Sequence, residues 1–180
     1  MNNRVRRISG GWFWLLAIWV LILPVQWICA CLIAALVHEC SHRLAIYLVS
    51  EKWVPIRLYP LSMRMPLPEM RWGAELFCAL AGPIGGGALL LIGRWMPRVA
   101  FCAATHSLLN LLPVYPLDGG RAIRCLLCMG CTPPVAAKIE KTLAGCTRIG
   151  LLFLGSYACL GLKLGLLPML LCLLILFRIK

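Results

Sequence analysis

From residue 8 to residue 50 nearly every position is apolar, and the polar exceptions gather in one patch, His38 to Arg43. A single helix over that run would be about twice as long as a bilayer core is thick, so the chain has to turn back once. Pro24, followed by Val25 and Gln26, is the natural break. It predicts a first span over residues 11–23 and a second over 27–49. A polar, proline-punctuated stretch covers 51–71. Two further spans are predicted at 74–92 and 99–115, with Arg94, Pro97 and Arg98 in the turn between them. Residues 120–146 carry Arg121, Arg124, Lys138, Glu140 and Lys141 and read as an amphipathic or surface region. The apolar stretch 150–177, interrupted by Lys163 and Pro168, reads as two short spans. Within 54–67, Leu61, Met63 and Met65 alternate with Ser62 and Arg64, the pattern of a short strand or hairpin lying on the membrane. The expected architecture is an all-α polytopic membrane protein: about six transmembrane helices, a short membrane-associated β hairpin between helices 2 and 3, and one domain over 1–180.

Composition agrees. Hydrophobic residues make up 62% of the chain and charged ones 13%, too few to coat a water-soluble domain of this size. Arg4, Arg6 and Arg7 before the first apolar run also suit a secretory signal, but no polar mature domain follows. A formal charge of +12 suits loops lying against an anionic leaflet better than a nucleic-acid groove. With about six crossings and both termini in the cytoplasm, all of the 18 Lys and Arg except Arg94, Arg98 and Lys163 fall on the cytoplasmic side, as the positive-inside rule requires. Localisation in a bacterial cytoplasmic membrane, multi-pass, is the expectation.

The 11 cysteines are scattered mostly through apolar stretches and read as small buried hydrophobes. Cys125, Cys128 and Cys131 have a spacing that suits a metal or a redox pair, but no fourth ligand of matching type lies nearby, and packing is the better reading. Gly82 with Gly86, and Gly161 with Gly165, have the spacing that lets helix backbones approach closely.

Ionisable groups at membrane depth are costly and point to function. The second predicted span contains His38-Glu39-Cys40-Ser41-His42. Residues four apart share a helix face, so His38 and His42 can present imidazole nitrogens to one zinc ion, and Glu39 beside them can take a proton from water activated there. The competing role for the histidines is a buried hydrogen-bonded pair. A catalytic zinc takes three protein ligands. The chain has one aspartate, Asp118, in a Pro- and Gly-rich segment at the end of the fourth span, where a helix would be expected to unwind. The second and fourth spans run in the same direction, which lets Asp118 meet the histidine pair in the cytoplasmic half of the membrane. Capping the following helix, or pairing with Arg121, is the alternative role for Asp118.

These residues, together with Ala81-Gly82-Pro83, Asn110-Leu111-Leu112-Pro113 and Pro116-Leu117-Asp118-Gly119-Gly120-Arg121, resemble the site-2 protease family of intramembrane zinc metalloproteases, most closely the stage IV sporulation protein FB type. The resemblance implies one zinc ion held by His38, His42 and Asp118, with Glu39 as general base and Asn110 near the substrate peptide. It also implies a membrane-associated protein substrate, such as a pro-sigma factor, cut near the cytoplasmic face. The 54–67 stretch matches the family's membrane-reentrant β element, whose edge can hold an unwound substrate as an added strand. Two departures stand out: Pro60-Leu61-Ser62-Met63 where relatives often have a Pro-x-Gly-Gly turn, and Gly86 where many have Asn. Neither a nucleotide-sensing domain nor a PDZ module is expected after the last span. His106, one turn before Asn110, reads as helix packing.

Beyond the substrate, the expected partner is the lipid bilayer; an inhibitory membrane partner or a homo-oligomer stays open, and no nucleic acid is expected. Three other classes compete: a proteolytically inactive membrane scaffold of the same fold, a metal transporter, and a zinc protease with a glutamate as third ligand. Intact His38, Glu39, His42 and Asp118 disfavour the first. The single ligand constellation disfavours the second, and Glu51, Glu69, Glu75 and Glu140 lack a motif that would serve the third.

Overall fold

The computed structural model describes residues 24–55, 57–59, 62–64, 68–163, 169–170 and 172–173. The span expected over 11–23, Leu61 and Met65 of the expected hairpin, and most of 164–177 lie outside these residues. The described chain is mostly helical. Its elements are α1 (Val25–Ser50), strands β1 (Arg57–Tyr59) and β2 (Ser62–Arg64), α2 (Trp72–Ala88) continued by a 3-10 turn (Leu89–Ile92), α3 (Pro97–Asn110), α4 (Asp118–Gly130) and α5 (Pro133–Leu160). The two strands pair antiparallel, Arg57 opposite Arg64 and Tyr59 opposite Ser62. Among the described residues three helices are long and apolar enough to cross a membrane: Val25–Ser50, Trp72–Ile92 and Pro133–Leu160.

The buried positions of α1 explain how it packs. Ala30, Ala34, His38, His42 and Ala45 form a stripe of small or polar residues at a spacing of three to four. The bulky Leu32, Leu36, Leu44 and Leu48 stand outward; Leu36 is 63% exposed while His38 is 2% exposed. A helix in water turns its leucines inward. The reverse arrangement suits a lipid environment, where close backbone approach and dispersion hold helices together. At the α1–α2 crossing Gly85 makes that approach possible, since a Cβ there would run into the Ser41 hydroxyl and lie 2.6 Å from Ser41 Cβ. The helix ends at Glu51, which turns left-handed (φ 56°) and closes its N–H on the Tyr47 carbonyl at 2.8 Å.

Two apolar clusters bracket the middle of α1. On one side Ala30 and Ala34 meet Val99, Cys102 and Ala103 of α3; on the other Ala45 and Ile46 meet Val54 and Cys78. His38 and His42 lie between them, shielded at both ends.

Element boundaries differ from the sequence expectation in two places. The fourth predicted span, 99–115, is helical only to Asn110: α3 has 14 residues, about 21 Å of helix. Pro113 and Pro116 lack the N–H that would continue it and disfavour helical geometry in the residues before them. The turn that replaces it is closed by Val114 N–H on the Leu112 carbonyl at 2.7 Å and Leu117 N–H on the Val114 carbonyl at 2.9 Å. The second difference lies in 120–146, expected as one surface region ahead of a span starting at 150. The structure divides it between α4 and the first half of α5, which runs unbroken for 28 residues. Between Pro134 and Gly161 no proline interrupts the chain, and the exposed Lys138 and Lys141 and the half-buried Glu140 are carried without ending the helix.

Candidate metal centre

His38 and His42 sit one turn apart on the inner stripe of α1, and Asp118, the first residue of α4, arrives through the turn that follows α3. All three are buried. Asp118 Oδ2 is 2.9 Å from His38 Nε2 and 3.0 Å from His42 Nε2, and the two imidazole nitrogens are 3.2 Å apart. His42 Nδ1 lies 2.7 Å from the Cys78 carbonyl of α2. A carbonyl only accepts, so Nδ1 donates the ring proton and Nε2 of the neutral ring carries a lone pair. His38 Nε2 then has one proton to offer and two acceptors facing it. A single cation between the three atoms satisfies all of them at once.

The geometry fits zinc. Ligands about 2.0–2.1 Å from a tetrahedral ion are roughly 3.3 Å from one another, and the observed triangle of 2.9, 3.0 and 3.2 Å is a slightly contracted version of one such face. Two imidazoles and a carboxylate are also a donor set of catalytic-zinc type.

Several residues outside the donor set hold this geometry. Arg121 Nη1 stands 3.8 Å from Asp118 Oδ1, so the carboxylate keeps Oδ2 for the histidines; the Arg121 pairing and the ligand position coexist. Gly82 puts α2 flush against the centre, because a Cβ there would run into His42 Nε2 and lie 2.7 Å from His38 Nε2. Cys78, one turn earlier on the same face, is thereby within reach of His42. Gly119 and Gly120 let the first turn of α4 nest on the loop backbone: a Cβ on Gly119 would strike the Leu111 carbonyl, and one on Gly120 would strike Val114.

The structure brings His38, His42 and Asp118 together. Glu39 is half-buried directly beside the first histidine. Asn110 closes α3 with its Nδ2 donating to the His106 carbonyl at 3.0 Å, so its amide lies back along its own helix. His106 packs edge-to-face on His38 with ring centroids 4.7 Å apart. The Cys125, Cys128 and Cys131 thiols do not share one environment: Cys125 is buried, Cys128 half-buried and Cys131 exposed. Burial pushes the Cys125 thiol up to about 11, which keeps it protonated and a packing group. Sequence reading missed the Cys78 carbonyl; for Gly82 the spacing with Gly86 signalled a close helix approach, though not that the two histidines are what it approaches.

Fold and site together define a helical membrane protein with a buried His-His-Asp group whose ligand atoms lie close enough to hold one cation. A site-2 protease from Methanocaldococcus jannaschii has the same fold, with a TM-score of 0.65 over 93% of this chain and 83% of that one at 18% sequence identity. No protein-family model matches the sequence, and no curated protein does.

Proposed function

We propose that this chain is an intramembrane zinc endopeptidase of site-2 protease type that cuts a membrane-embedded or membrane-associated protein near the cytoplasmic face. The observation that carries the reading is the convergence of three buried donor atoms, His38 Nε2, His42 Nε2 and Asp118 Oδ2, within 3.2 Å of one another, with Glu39 following His38 in the helix. The likeness in fold to a site-2 protease supports it. A zinc ion held by these residues would supply Lewis-acid polarisation to water and to the scissile carbonyl. Glu39 accepts the proton of the attacking water and passes it to the leaving amine. Asn110 receives the substrate backbone; with Nδ2 engaged by His106, Oδ1 is its accepting atom. The short β1–β2 ladder offers an edge to which an extended substrate adds as a strand. The proposal includes about six spans with both termini cytoplasmic, and a pro-sigma factor as one substrate of the right kind.

The test is co-purification or co-expression with a panel of single-span and membrane-tethered substrates. Cleavage that stops when a chelator strips the enzyme and returns with added zinc supports the proposal. Cleavage indifferent to chelation removes it.

A further inference from the structure

The two histidines of the centre are not equally supported. His42 donates its outer nitrogen to the Cys78 carbonyl, whereas His38 Nδ1 is buried and makes no hydrogen bond. His106 packs edge-on against the His38 ring and leaves Nδ1 unbonded. One residue further along α3, Ser107 Oγ is also buried without a partner. A buried polar atom without a partner is uncommon enough to need a reason, and here two of them face the same notch. A Cβ on Gly86 would lie against Ser107 Oγ and 3.6 Å from His38 Nδ1. The two atoms are therefore no more than about 6 Å apart, a gap that one bridging water spans or a turn of the serine side chain shortens.

Imidazoles that bind metal almost always donate their second ring nitrogen to an oxygen, which fixes the tautomer and aims the ligating lone pair. We infer that Ser107 is the positioning residue for His38: its hydroxyl accepts the Nδ1 proton across the notch left by Gly86, and this holds Nε2 toward the metal position. The inference rests on the metal-centre reading given above. It assigns Gly86 a purpose as well, because any side chain there would displace the hydroxyl.

The test measures zinc affinity of the full, detergent-purified chain by titration against a chromophoric chelator, with circular dichroism and elution volume reporting the fold. Ser107→Ala is expected to weaken zinc binding by about 10–100-fold. In that background the nearest neighbours of a Cβ at position 86 are His38 Nδ1 at 3.6 Å and Ser107 Cβ at 3.8 Å, which are ordinary contacts. Adding Gly86→Ser to Ser107→Ala carries the hydroxyl to the opposite wall of the notch and is expected to restore most of the affinity. Adding Gly86→Ala fills the same space without a hydroxyl and is expected to restore none. If Ser107→Ala does not fold, the two double variants decide the matter alone. Wild-type affinity in Ser107→Ala, or equal affinity in the two double variants, overturns the assignment while leaving the metal centre standing. A folded wild-type chain that takes up no zinc removes the centre and this assignment together.

Discussion

Glu39→Gln is expected to lower peptide cleavage by roughly 10²- to 10⁴-fold, the usual contribution of a positioned general base, with bound zinc unchanged. Glutamine keeps the length and shape of the side chain and can still hydrogen-bond, but it cannot take a proton from water. Glu39 lies outside the converging donor set, which consists of His38, His42 and Asp118, so the substitution separates chemistry from metal binding. Cleavage of a membrane-tethered reporter and zinc analysis on the same preparation check both halves. Loss of zinc along with activity would make Glu39 part of the metal shell. Undiminished cleavage would take the proton-transfer role away from it.

Gly82→Ala is the second variant with a large expected effect, although it changes no chemical group. The added methyl would lie 2.5 Å from His42 Cε1 and 2.7 Å from His38 Nε2, closer than carbon atoms approach either. Both rings are buried and packed, so at least one has to leave its position. Cleavage is expected to fall by roughly 10²-fold or more, the cost of misplacing reacting groups by about 1 Å, and zinc affinity to fall with it. Gly87→Ala, on the same helix, is the control, because a Cβ there meets nothing within 4 Å. It should preserve both properties and slightly favour the helix. Equal behaviour of the two variants would mean that α2 does not press on the site as described.

The histidine pair was legible in the sequence because its geometry needs only one helix: spacing of four puts two side chains on one face wherever that helix lies. Asp118 was legible for a different reason. It is the chain's single aspartate, set among prolines and glycines that break a helix. What depends on the rotation of one helix against another was not legible. In water the apolar face marks the core, but in lipid both faces are apolar; Ala34 is buried and Leu36 is 63% exposed, and hydropathy does not tell them apart. The contacts of Gly82 with the histidines, of His42 with Cys78 and of Ser107 with the Gly86 notch all depend on that rotation. Helix ends followed a similar division. Pro113 and Pro116 announce a break, though not that α3 already stops at Asn110. Nothing between Lys138 and Cys146 announces that α5 runs straight through a polar stretch, because a helix tolerates charges on a face it does not bury.

The central claim is that His38, His42 and Asp118 hold one zinc ion, and zinc content of the detergent-purified chain tests it without knowledge of any substrate. Wild-type protein is expected to contain about one zinc per chain, as a three-ligand site with one open position requires, and His38→Ala and Asp118→Ala are each expected to lose it while remaining folded. A folded wild-type chain without zinc after growth and purification in its presence, or zinc retained in Asp118→Ala, would contradict the account.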